Sequence, residues 1–256
     1  MMEFIVIVES DADARTATEL AERVLREQGP EWLEDYLKYQ IRWAGLKIVS
    51  NCSTWKELKD IAQFYPNHKV PRYRRSKTVS KFDGASADKV LTLISTILKK
   101  EPERSIGAAL LIRDLDGREQ GKKRLASLHQ ARQNHQTADP DLAIVIGAAI
   151  PKREAWVLNG FVPQTAQEKA QLAELKQQLK FDPCVAAHRL RGDKKYPEQR
   201  DRDAKVILEI LTNDDSDRER QCWAKTDLAV LRDRGIETGL TDYLQDIDTR
   251  LRPILR

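Results

Sequence analysis

Three acids stand at positions where bound ligands are usually handled. Glu9 follows the apolar run Phe4 to Val8, while Asp114 and Asp116 close the apolar run Ile106 to Ile112. Runs of β-branched and apolar residues of this length read as strands buried on both faces. In an open parallel sheet, ligands bind in the crevice outside the carboxyl ends of the strands. Asp114 and Asp116 are two residues apart, so on an extended backbone both carboxylates point to one side, a geometry that suits a hard cation. Several carboxylates in one crevice are costly to keep ionised, and Mg²⁺ removes that cost while leaving positions for phosphate oxygens and water. Ordinary helix and turn preferences explain Asp11 and Asp13 in a first helical turn and Asp116-Gly117 as a turn. They do not explain an acid at each strand end. Glu9, Asp114 and Asp116 are therefore the expected metal ligands, and Asp13 joins Glu9 as a catalytic candidate.

A second group of residues suits phosphate. Lys69, Arg72, Arg74, Arg75, Lys77 and Lys81 run without an acid until Asp83, interleaved with Tyr73 and Phe82. Basic residues with aromatics fit a loop that tracks a nucleic-acid backbone, with a solvated face as the alternative. Lys69, Arg72, Arg74, Arg75 and Lys77 are the candidate nucleic-acid contacts. Other chemistries lack their patterns. Gly117-x-x-x-Gly121-Lys122 has one residue too few for a nucleotide P-loop, and Lys123 stands where Ser or Thr should hold the metal. His68, His129, His135 and His188 show no zinc spacing, and no serine lies in a Gly-x-Ser-x-Gly elbow. Cys52, Cys184 and Cys222 are too scattered for a disulfide framework or a metal knot, so they read as reduced, mostly buried thiols.

The elements that must position these residues alternate. After the first run, Ala14, Ala17, Leu20, Ala21, Val24 and Leu25 recur at helical spacing, with Ser10 or Asp11 as cap and Gly29-Pro30 as stop. Trp32 to Tyr39 is helix-like, Leu46 to Val49 is a candidate short strand, and Thr54-x-x-Glu57 reads as a capping box. A helix from Ser86 to Leu98 precedes the strand Ile106 to Ile112. Arg118 to Gln133 is helical, and Leu142 to Ile146 is a third strand leading into a helix with Glu154, Ala155 and Trp156. This order predicts βαβ units and a mostly parallel sheet flanked by helices, the α/β class. Beyond Phe161, the segments Ala166 to Leu179, Ala204 to Leu211, Asp217 to Arg232 and Leu240 to Leu251 all favour helix. The expected organisation is an α/β core over 1–160, with an insertion around 29–85, and a helical extension over 161–256. The +4 net charge permits a polyanionic partner without requiring one. No apolar run approaches the roughly 20 residues of a bilayer span. The start of the chain lacks a basic n-region, so a cytoplasmic protein without a membrane partner is expected.

Val8-Glu9-Ser10-Asp11-Ala12-Asp13 followed about a hundred residues later by Leu111-Ile112-Arg113-Asp114-Leu115-Asp116 resembles the Glu plus Asp-x-Asp signature of Toprim domains. Arg153-Glu154-Ala155-Trp156-Val157-Leu158 is similar to a segment of small Toprim-like proteins, and Arg234-Gly235 with Gly239-Leu240 loosely fits their tail. Ser10 stands where many Toprim domains have Gly, and 29–85 is longer than a minimal Toprim domain needs. The resemblance implies a Toprim-like fold over 1–160 and Mg²⁺-dependent chemistry on nucleic-acid phosphodiesters, with Mn²⁺ as a substitute. It implies Glu9 as general acid/base or metal ligand, Asp114 and Asp116 as metal ligands, and Glu154 as a further one. The resemblance to overcoming-lysogenization-defect nucleases raises a separate ATPase subunit and a role in phage defence. Ala109 to Gly117 is also similar to the haloacid-dehalogenase phosphatase motif, with Asp114 as nucleophile and Asp116 as acid/base. That alternative leaves Glu9 unused and has Arg118 where Thr or Val should follow. A non-catalytic, metal-stabilised interaction subunit is the third reading.

Overall fold

The computed structural model describes residues 1–27, 31–65, 83–116, 118–138 and 140–255. Its first strand, β1 (Met2–Val8), is followed by α1 (Asp11–Glu27), α2 (Glu31–Gln40), β2 (Ile41–Ala44), β3 (Ser53–Thr54) and α3 (Leu58–Gln63). Then come α4 (Asp83–Lys100), β4 (Ile106–Asp114), α5 (Arg118–Ala138), β5 (Ala143–Ala149) and α6 (Arg153–Asn159). The C-terminal region is helical: α7 (Ala166–Leu179), α8 (Ala204–Thr212), α9 (Ser216–Ala224), α10 (Leu228–Arg234) and α11 (Leu240–Arg250). The strands form one sheet in the order β2-β1-β4-β5, with β3 also paired to β1. β1 runs parallel to β2, β3 and β4. The expected α/β class, with a mostly parallel sheet between helices, is thus what the chain adopts.

Backbone proximity groups the chain into two compact units. One draws on 1–113, 122–147 and the residues from 246 onward, the other on 114–121 and 148–245.

In the first unit, Phe4 to Val8 are fully buried, as a strand covered on both faces should be. Helix α1 supplies Ala17, Leu20, Ala21, Val24 and Leu25 to this core, and α4 supplies Val90, Leu91, Ile94 and Ile97. The amino end of β1 is fixed electrostatically. Arg104 donates to the Glu3 carboxylate through Nε at 2.9 Å and Nη2 at 2.6 Å, and to the carbonyls of Leu46 and Gly45. Arg42 takes the other Glu3 oxygen at 2.5 Å. At the carboxyl end, Ile7 and Val8 pair with Ser53 and Thr54, and Trp55 N–H donates to Val8 O at 3.0 Å. The strand β1 therefore ends against the segment that carries Trp55.

In the second unit, Trp156 and Trp223 are buried among α6, α8 and α9. Trp156 stacks on Tyr243 with ring centroids 5.0 Å apart, and its N–H donates to Thr238 O at 2.8 Å. Gly239 next to it has φ +77, and a Cβ there would lie 2.2 Å from Ala148 O, so no other residue fits without strain. Helix α7 starts in a capping box between Thr165 and Glu168, and Arg218 clamps Glu168 at 2.6 Å.

Three expected features differ. The expected capping box at Thr54 and Glu57 does not start a helix: α3 begins at Leu58 with Glu57 as its N-cap and no side-chain cap, and the Glu57 carboxylate instead accepts from Thr54 N–H at 2.7 Å. The strand expected at Leu46 to Val49 is instead β2, five residues earlier. Gly45 N–H bonds Ser50 O, closing a turn over 45–50 that leaves Val49 95% exposed. The single helix expected over Asp217 to Arg232 is two, because the Asp227 carboxylate accepts from Ala229 N–H and caps a new start. Among the described residues, no helix is long and apolar enough to cross a membrane.

Candidate functional site

β1 and β4 pair in register Ile7↔Leu111; Glu9 follows β1, and Asp114 is the last residue of β4.

In the first unit, Glu9 is held by Arg113, whose Nη1 lies 2.8 Å from its carboxylate. Arg113 also reaches Asp83 at 2.9 Å, and Arg124 takes the second Asp83 oxygen at 2.5 Å. The Arg113 guanidinium lies 4.9 Å over the Trp55 ring, whose N–H donates to Ile112 O at 2.7 Å. Arg113 Nε is buried with no hydrogen-bond partner among the described residues. Asp83 reaches this cluster because α4 begins hard against α5. A Cβ on Gly84 would lie 2.5 Å from Ser127 O, and Gly84 N–H donates to Ser127 Oγ at 3.0 Å. Asp13 is buried and accepts from Ser10 Oγ at 2.9 Å.

The electrostatics divide these acids. Burial pushes the Glu9 carboxyl above its usual range, and Arg113 only partly offsets it, while Asp13 and Asp83 add to the rise. Burial also raises Asp83, but the hydrogen bonds from Arg113 and Arg124 outweigh it and hold that carboxyl below its usual value. A carboxyl that takes a proton readily thus sits one hydrogen bond from a guanidinium shared with a firmly ionised acid. That combination can move a proton and hold an anion's oxygens in the same place.

In the second unit, Asp114 accepts from the backbone N–H of Arg153 at 2.9 Å and so caps α6, whose preceding residue Lys152 makes no side-chain cap. Arg153 pairs with Glu219 at 2.7 Å and with Glu154 at 3.7 Å. Lys152 contacts Asp203 at 3.2 Å. Burial lowers the Lys152 pKa, but Asp203, with smaller help from Glu154 and Asp116, raises it above its ordinary value. Asp116 is exposed. Among the described residues, no three or more His, Cys, Asp or Glu side chains gather as a group that could hold a metal ion.

No protein-family model, curated protein or solved structure matches this chain.

Of the residues expected from sequence, Glu9 and Asp13 thus fall in the first unit, and Asp114, Asp116 and Glu154 in the second. Lys69, Arg72, Arg74, Arg75 and Lys77 lie outside the described residues. Asp83, Trp55, Arg113 and Arg124 are the functional candidates that motif reading missed. The local signal was Asp83-Gly84, an acid and a small residue at a helix start directly after a long basic stretch. The cysteines are free; burial pushes the Cys52 thiol up to about 11 and Cys222 to about 12, so neither is a ready nucleophile.

Proposed function

We propose that this protein is a Toprim-like nuclease hydrolysing nucleic-acid phosphodiesters. The observation that carries the reading is the Glu9 carboxyl at the exit of β1, held at 2.8 Å by the Arg113 guanidinium that also binds Asp83. In the proposed reaction water attacks phosphorus in line and the P–O bond opposite breaks. Glu9, with its raised pKa, handles the proton, and Arg113 neutralises the phosphate oxygens. Arg113 can do so because a phosphate can replace the Glu9 carboxylate on the same guanidinium. Mg²⁺ belongs to the proposal as a requirement. The described residues offer it no ready-made cage. Mg²⁺ is commonly bound through one or two carboxylates with substrate phosphates and water completing its shell, and Asp114 and Asp116 are the two that would serve. Any ATPase would be a separate subunit, because Gly117 to Lys123 does not make a P-loop.

The test compares wild type with Glu9→Gln on single-stranded DNA, duplex DNA, RNA and a chromogenic phosphomonoester, each with Mg²⁺, with Mn²⁺ and with chelator. Metal-dependent cleavage of nucleic acid that falls about 10²-fold or more in Glu9→Gln is the expected result. Phosphomonoesterase activity that survives the substitution, with no cleavage of nucleic acid, would replace this reading by the haloacid-dehalogenase one. No turnover on any substrate would leave an interaction subunit.

A further inference from the structure

A groove of about 340 Å³ runs between α3 and α4 in the first unit, apart from the carboxylates considered so far. Its floor is apolar, made by Leu58, Val90 and Leu93 with the edge of Trp55, all buried. Its rim carries Lys56, Lys59 and Lys89, all exposed, and no acid among the described residues lines it. None of these lysines makes an ion pair among the described residues. Arg42, Arg104, Arg113 and Arg124 in the same unit are each paired with a carboxylate. Three uncompensated cations around an apolar floor select an anion that also carries apolar surface.

We infer that this groove binds the unpaired strand of a nucleic acid, with phosphates on Lys56, Lys59 and Lys89 and a base against Leu58, Val90 and Leu93. An unpaired strand presents phosphates and bare bases together, whereas a duplex keeps its bases stacked inside and would leave the floor empty. Trp55 joins the groove to the acid site. It lines the groove, and its ring carries the Arg113 guanidinium that pairs with Glu9. The role of this groove in delivering a strand rests on the nuclease reading; the binding itself does not.

The experiment measures anisotropy of a labelled oligothymidine with the full chain in chelator, so that binding is read without turnover, across a series of salt concentrations. Replacing all three lysines (Lys56→Gln, Lys59→Gln, Lys89→Gln) should weaken binding and flatten the log–log salt slope by about 0.7 for each phosphate left without its lysine. Ser86→Leu fills the groove and leaves the charge unchanged; it should weaken binding of the single strand about ten-fold and leave duplex binding as it was. Thermal melting checks that the variants fold. Should the triple variant not fold, Lys89→Gln alone carries the slope measurement. An unchanged slope, or equal loss of single-strand and duplex binding in Ser86→Leu, overturns the inference. So does binding to phosphatidylserine vesicles with none to oligothymidine. Binding through the lysines with no cleavage under any metal would remove the nuclease reading and keep the groove. Cleavage that needs Glu9 but ignores the lysines would keep the nuclease reading and remove the groove's role in delivering the strand.

Discussion

Glu9 shows what one carboxylate gains and loses by its setting. Its burial disfavours the ionised form, and the Arg113 guanidinium 2.8 Å away recovers only part of that loss. A group whose folded pKa lies above its unfolded value destabilises the fold when ionised, and the penalty fades as pH falls through the raised pKa. Glu9→Gln should therefore raise the midpoint of urea unfolding at neutral pH, and the gain should vanish in acid. If the variant is less stable than wild type at neutral pH, the burial argument fails whatever the activity. Arg113 bears on the same proton from the other side. Arg113→Gln removes the main force holding the Glu9 pKa down, so the acid limb of the pH–rate profile for cleavage should move to higher pH. A limb that stays put would remove Glu9 as the group titrating there. The strand-end acids were legible in sequence because each directly follows an apolar run. The partners were not, since Arg113 meets Asp83 across 30 residues and Arg124 meets it across 41, and no local pattern encodes such a pairing.

Elements here are fixed as much by buried charge as by apolar periodicity. Strand β1 is fully apolar from Phe4 to Val8, yet the start of its pairing depends on Glu3, which is buried with Arg104 across 101 residues. The pair also satisfies the Gly45 and Leu46 carbonyls, which lie just past β2. Arg104→Met would keep the volume and strand a buried carboxylate with only the half-exposed Arg42, so the loss should be about 3 kcal/mol or more. Urea unfolding measures it, and a change under about 1 kcal/mol would mean that water reaches Glu3 in place of the arginine. The same buried contacts explain which elements sequence reading found. Strands β1, β4 and β5 announce themselves by continuous apolar runs, and α7 by its helix-favouring residues. β2 did not, because Ile41–Ala44 includes Arg42 and Trp43, whose roles are a bond to Glu3 and an edge-on packing on Phe4 at 5.6 Å. The break between α9 and α10 was hidden for a similar reason: Lys225-Thr226-Asp227 is compatible with helix locally, and the Thr226 hydroxyl is drawn out of it to Gly160 O at 2.5 Å.

The charge of the whole molecule is nearly balanced, yet its acids are not equivalent. Glu168 is held below its usual value first by the Arg218 hydrogen bond. For Glu3, Asp83 and Asp203 burial pushes upward, but Arg104 and Arg42, Arg113 and Arg124, and Lys152 respectively outweigh it. These four lie in both compact units, two in each. Each binds a proton less readily folded than unfolded, so each contributes stability that is fully present above its unfolded value. Those values are near 4.5 for the glutamates and 3.8 for the aspartates. The contribution is lost as pH falls through the depressed folded values. Glu9 acts in the opposite sense, and as a single group it cannot offset four. Unfolding free energy should therefore be level near neutrality and fall steeply below pH 4.5. Tryptophan fluorescence can follow both units, through Trp55 in the first and Trp156 and Trp223 in the second. Arg218→Met supplies the internal control. With its partner gone, Glu168 loses the largest cause of its lowered pKa, so the variant should be less stable at neutral pH and its acid limb should be shallower than that of wild type. Parallel acid limbs in the two proteins would mean that the pair stabilises the fold through packing of the Arg218 stem on Phe161, where the guanidinium lies 4.6 Å from the ring, and not through the charge of Glu168.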